Sequence, residues 1–197
     1  MTGTARERLL RTADQLFYRE GVHTVGIDRI LEASGVAKAT LYSAFGSKDE
    51  LVRAYLEGRA ERLQGAVTAR VDAAATPRER ILAVFDAFDA RLSEGRYFGC
   101  PFVRACAETP AETDAAREVA TAHRAWRRSL LLRLSREAGF ADPEATSRQL
   151  SLLYDGAAVA AAMEGEADAA RVARAAAAHV IDAAAPKKST RSRARTK

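Results

Sequence analysis

Around residues 38 to 48 the chain gathers side chains suited to holding a polyanion. Lys38, Thr40, Tyr42 and Lys48 offer an ammonium, a hydroxyl, a phenol and a second ammonium, and each can donate to a phosphate oxygen. Ala39 and Ser43, interleaved with them, are small enough to let the backbone approach base edges or thymine methyls in a major groove. Lys48 opens a predicted helix, and Thr24 stands just ahead of another. At such helix starts the open backbone donors and the positive dipole end favour a phosphate. Leu41 and Phe45, in the same stretch, read as core.

Little else in the chain is arranged for catalysis. There is no Gly-x-Ser-x-Gly elbow, phosphate loop or dinucleotide fingerprint, and His23, His123 and His179 lie far apart without metal-ligand spacing. The reading is therefore no enzyme, no catalytic residue, no metal and no cofactor. Cys100 and Cys106 fit neither a disulfide framework nor a zinc pattern. Cys100 precedes Pro101 at a helix start, where the dipole favours a thiolate, so a redox or electrophile switch is one reading. A small buried cysteine is the plainer one.

Charge points less clearly to nucleic acid than its total suggests. The formal net charge is +5, but six Lys or Arg and no acid fall between Lys187 and Lys197. Residues 1 to 60 hold nine basic against eight acidic residues, and 61 to 186 hold sixteen against eighteen. The folded part is nearly neutral, so the type and position of its charges matter more than their sum. The longest apolar run, Ala157 to Met163, is too short to span a membrane, and the N-terminus carries no signal-peptide core. The expected location is the cytoplasm.

The elements that must position these groups are all helical. Apolar residues recur at helical spacing, no segment alternates as a half-buried strand does, and Ala, Leu, Arg and Glu fill the rest. Thr4, Ser47, Thr76 and Thr109 each have a Glu three residues on, the pattern of a capping box. Gly21, Gly35, Gly95, Gly139 and Gly165 supply stops. About nine helices follow from these signals. The predicted spans are Thr4 to Glu20, Ile27 to Ser34, Lys38 to Ala44, Lys48 to Val71, Pro77 to Glu94, Pro101 to Glu108, Ala111 to Ala138, Pro143 to Glu164 and Ala167 to Ala184. Residues 186 to 197 lack an apolar anchor and are expected to be a disordered basic tail.

The first helix has an apolar stripe of Leu9, Ala13, Leu16 and Phe17, and the two short helices after it can fold over Gly35 around Ile30, Val36 and Leu41. That is helix-turn-helix spacing. The string GVHTVGIDRILEASGVAKATLYSAFGSKDELVRAYL resembles the N-terminal domain of the TetR family of regulators. The resemblance runs from Ala5 to about Tyr55 and is most specific at Lys38 to Tyr42 and Phe45 to Lys48. It departs from the family pattern at Ala44, where a bulkier residue or a histidine is common. The resemblance implies that Lys38 to Ala44 is the recognition helix. It further implies a DNA-binding domain over residues 1 to 60 and a ligand-sensing, dimer-forming domain over residues 61 to 185. The helix after Ser47 would then be the lever between them.

The expected partners are thus a double-stranded operator, a second copy of the chain and a small-molecule effector. LSLLYDGAAVAAAM and the Ala-rich run after it suit close helix packing, and in the family the last two helices pair with their copies in a four-helix interface. Phe85, Phe88, Phe102, Cys106, His123, Trp126 and Tyr154 are the candidates for lining an effector pocket, although aromatics at helical spacing are more often plain core. The expected function is a ligand-responsive homodimeric regulator, with repression the usual outcome. The alternative is a helical small-molecule-binding or adaptor dimer without sequence-specific DNA binding.

Overall fold

The computed structural model describes residues 3–95, 97–108 and 114–185. Among them the chain is all helical, in nine α-helices: α1 (Ala5–Glu20), α2 (Ile27–Ser34), α3 (Lys38–Phe45), α4 (Lys48–Ala73), α5 (Pro77–Ser93), α6 (Pro101–Glu108), α7 (Asp114–Glu137), α8 (Pro143–Met163) and α9 (Ala169–Ala184). None of the described helices is long and apolar enough to cross a membrane. The expected basic tail, residues 186 to 197, and the capping box at Thr109 lie outside the described residues.

Helix starts follow local chemistry. Thr4 and Thr76 both form the full reciprocal box: each hydroxyl accepts from the backbone N–H of the Glu three residues on, and that Glu takes the N–H of the threonine. Each such cap is worth about 1 kcal/mol. Ser47 forms only half of the expected box. Its Oγ accepts from Glu50 N at 3.1 Å, but the Glu50 carboxylate turns to Arg53. A guanidinium one helical turn away is the better electrostatic partner for it. Two turns are set by glycine: Gly35 at φ 64° ends α2 and Gly46 at φ 77° ends α3, a left-handed region costly to residues with a Cβ.

Two apolar cores result. One joins α1, α2, α3 and the first half of α4 through Leu9, Phe17, Ile30, Leu41, Leu51 and Leu56. The other joins the end of α4 to α5, α7, α8 and α9 through Val71, Phe85, Phe88, Leu131, Leu150 and Ile181. Helix α4 therefore serves both. The first core also takes Phe102 and Ala105 from α6 and Ala116 and Val119 from α7. The two cores are thus tied together by α7 as well as by α4.

Charge ties α4 and α6 to α1 and the turn after it. Arg59 of α4 grips the Asp14 carboxylate of α1 with two hydrogen bonds of 2.9 and 3.0 Å and lies 3.6 Å over the Tyr18 ring, while Arg62 adds a third bond to Asp14. From α6, Arg104 donates to Tyr18 O at 2.8 Å and Phe98 O at 3.1 Å. Glu108 accepts from His23 N at 3.2 Å and faces Gly21 so closely that a Cβ there would push its carboxylate aside.

Candidate nucleic-acid interface

Helix α3 is held by one face and offers the other. Leu41 and Phe45 are buried, one turn apart, and anchor it to α1 and α2. Lys38, Ala39, Tyr42 and Ser43 are all exposed; their spacing of one and four residues puts them on a single strip of the helix. Tyr42 keeps 44% of its surface open, unusual for a residue with so much apolar area to bury. Thr40 is half-buried at the strip's edge, and Thr24 is exposed in the turn before α2.

The electrostatics around the strip differ from site to site. Lys38 Nζ lies 3.5 Å from the exposed carboxylate of Asp28, so a phosphate would have to draw it away from that partner. Lys48 is half-buried, and burial holds its ammonium below the usual lysine range while Asp49 and Glu108 oppose the shift. The start of α4 is a poorer phosphate site than its sequence suggests: Ser47 already caps it, and Asp49 and Glu50 fill its first turn. The start of α3 is the more open one, since Ala37 provides no side-chain cap and its first turn carries no acid.

In the body, the aromatic candidates separate into core and cavity wall. A cavity of about 310 Å³ is bordered by Leu63, Phe88, Arg91, His123, Trp126 and Tyr154 among others. One of about 540 Å³ is bordered by Arg91, Phe102, His123, Arg127 and Tyr154 and by the outer face of α8. A third, of about 290 Å³, is bordered by Cys100, Phe102, Cys106, His123 and Arg127. Phe85, expected to line a pocket, borders none of these three; it is fully buried and packs its ring 6.1 Å from that of Tyr154. Cys100 is half-buried just ahead of α6, and burial pushes the Cys106 thiol up, away from the thiolate.

His123 and Arg127, one turn apart on α7, border all three cavities. The His123 ring is stacked on Phe102 at 4.2 Å and lies 5.9 Å from Trp126. Burial, with the positive charges of Arg127 and Arg91, pushes its pKa down to about 4, so it is neutral at pH 7. Arg91 and Arg127 were not among the expected pocket residues. Each could have been found from its spacing, Arg91 three residues after Phe88 and Arg127 four after His123, which places them beside those rings.

A short two-helix unit over a glycine turn, with a polar strip facing out and a larger helical body behind it, defines a helix-turn-helix protein. The sequence model of bacterial regulatory proteins of the tetR family matches residues 9–55. The fold is similar to that of a TetR-family transcriptional regulator from Streptomyces coelicolor, with 32% identity and a TM-score of 0.87 over 92% of this chain and 96% of that one. A putative TetR-type regulator from Streptomyces avermitilis is also 32% identical, with a TM-score of 0.78 over 92% of this chain and 98% of that one. The HTH-type transcriptional activator FasR of Mycolicibacterium smegmatis is 35% identical over 83 residues, 42% of this chain but only 38% of that protein. The chain belongs to the TetR family of transcriptional regulators, whose N-terminal domain binds DNA.

Proposed function

We propose that this protein represses transcription by occupying an operator as a homodimer, and that a small molecule in its body releases it. Residues 1 to 60 are the reading head and residues 61 to 185 the sensing and pairing body. The observation that carries the reading is the outward strip of α3. Lys38 and Tyr42 hold phosphates, Ala39 and Ser43 approach the bases, and Leu41 and Phe45 fix the helix from behind. Thr24, Thr40 and Lys48 add phosphate contacts around it.

Pairing is supported by the apolar side chains left open on the last two helices. Leu152, Val159 and Met163 of α8 and Val172 of α9 are exposed, Leu152 at 68% and Met163 at 80%. A second copy of the same face would cover them as the other half of a four-helix bundle. Two heads would then meet successive major grooves of a palindrome. Release follows from a ligand preferring one head arrangement over another. Two connections carry it: α4, which belongs to both cores, and α6, whose Arg104 borders the larger cavity and whose Glu108 holds the turn before α2.

Labelled duplexes from the DNA flanking the protein's own gene test the reading by fluorescence anisotropy. One fragment should bind far more tightly than a scrambled duplex of equal length, two chains per site. Equal affinity for both would leave a helical binding dimer without sequence-specific recognition. Repression itself is tested by a reporter driven from that fragment, whose output should fall when the protein is expressed.

A further inference from the structure

The body cavities are bordered by cations that carboxylates among the described residues match only in part. Arg91 has no carboxylate partner among the described residues; its guanidinium lies 4.9 Å from the centres of both the Phe88 and Tyr97 rings. Its Nε is buried without a hydrogen-bond acceptor. Arg127 is only 8% exposed, lies 4.3 Å over the Tyr154 ring, and must share the Asp155 carboxylate with Arg124. Its Nε, too, has no acceptor, and Nδ1 of His123, itself 9% exposed, has no hydrogen-bond partner among the described residues.

Native structures rarely leave several buried donors open in one place, and an unmet cation in an apolar wall is more costly than a neutral group. Arg91, His123 and Arg127 all border both the 310 Å³ and the 540 Å³ cavities. The remaining charges there are largely spoken for. Arg59 and Arg62 hold Asp14, and Arg104 holds Glu108. Asp155 is the only carboxylate among the described residues that line the larger cavity, against four arginines, and Glu94 is the only one lining the smaller.

We propose that the effector is an amphipathic monoanion, a carboxylate with an apolar or aromatic body, whose charged end sits between Arg91 and Arg127 beside His123. This rests on the reading of the body as an effector site and names the chemistry of its ligand. Guanidinium groups pair with a carboxylate in planar, charge-assisted hydrogen bonds. Leu63, Phe102, Val103 and Tyr154 offer the apolar lining for the rest of the molecule. A monoanion suits the site better than a phosphate ester, because one arginine has no carboxylate partner among the described residues and a second shares Asp155 with Arg124. Burial, with the positive charges of Arg127 and Arg91, keeps His123 neutral, and the same charges disfavour a cationic ligand.

Isothermal titration of the DNA-free full-length protein with 2-naphthoate and 2-naphthamide, which share one ring body, tests the charge directly. Naphthoate should bind at least about tenfold more tightly than the amide. Arg91→Gln should remove most of that preference while leaving the amide within about threefold of its original affinity, and Arg91→Lys should restore part of it. Naphthoate should also raise the midpoint at which the His123 ring titrates by NMR, because an adjacent negative charge favours the imidazolium. Equal binding of acid and amide, no binding of naphthoate, or a preference unchanged in Arg91→Gln would overturn the proposal. Should Arg91→Gln fail to fold, the acid-to-amide ratio of the unmodified protein and of Arg91→Lys still decides. Because binding is measured without DNA, a carboxylate that binds as expected yet leaves operator affinity unchanged overturns the release reading and upholds the ligand class.

Discussion

Acidification should destabilise this protein through His123 before most of its carboxylates titrate. In the folded chain the ring's pKa is pushed from 6.5 to about 4 by burial and by Arg127 and Arg91, whereas in the unfolded chain it is ordinary. A depressed histidine is neutral when folded, so the stability tied to it is full above the unfolded value and is lost as pH falls from 6.5 toward 4. Between about pH 7 and about pH 5 the linkage amounts to about 2 kcal/mol, approaching 1.4 kcal/mol per unit in steepness. Below the folded value the loss stops growing. Urea unfolding followed by Trp126 fluorescence across this range measures it, and His123→Gln, which cannot titrate, subtracts the carboxylates. The wild type should lose about 2 kcal/mol more than the variant over the interval. Parallel curves, or a His123 resonance titrating near 6.5 in the folded protein, would mean that this ring is not buried in a positive field.

Thr76→Ala removes the hydroxyl arm of the cap at the start of α5, leaving the backbone N–H at position 76 to the Glu79 carboxylate, and should cost about 1 kcal/mol in urea unfolding, with DNA affinity unchanged. Leu152→Glu places a charge on the open face of α8; light scattering should show a shift from dimer to monomer while the circular dichroism spectrum of each chain is retained. Truncation after Ala185 removes the six basic residues of the tail and should weaken binding to scrambled DNA more than binding to the operator, as anisotropy against both duplexes would show.

What could be read in the sequence was local. The spans of α2 and α6 agree with expectation to the residue, because Gly35 ends one and Pro101 opens the other, and the reciprocal caps at Thr4 and Thr76 formed as their spacing required. The strip of α3 was legible for the same reason: four exposed positions and two buried ones are fixed by helical period once the helix is known. Long-range choices were not. That Glu108 would hold the turn at His23, 85 residues away, and that Phe102 would join the head's core rather than the body's, depend on where α6 docks. No local pattern encodes that. Ser47 shows the limit even of capping signals, since Glu50 had a competing partner in Arg53. In the cavity, counting aromatics favoured Phe85, which is core, and passed over Arg91, which has no carboxylate partner among the described residues, and Arg127, which shares Asp155 with Arg124.

If α3 and its surroundings dock on the phosphate backbone of an operator, operator binding must depend steeply on salt. With about four phosphate contacts per chain, a dimer should lose roughly 10³ to 10⁵-fold in affinity between about 50 and 200 mM salt. Tyr42→Ala and Lys48→Ala should each weaken binding to all sequences alike, and Lys48→Ala should also make the salt slope shallower by about one unit per chain. A flat salt response, or a slope and affinity unmoved by both substitutions, would contradict the docking deduced here from the open face of α3.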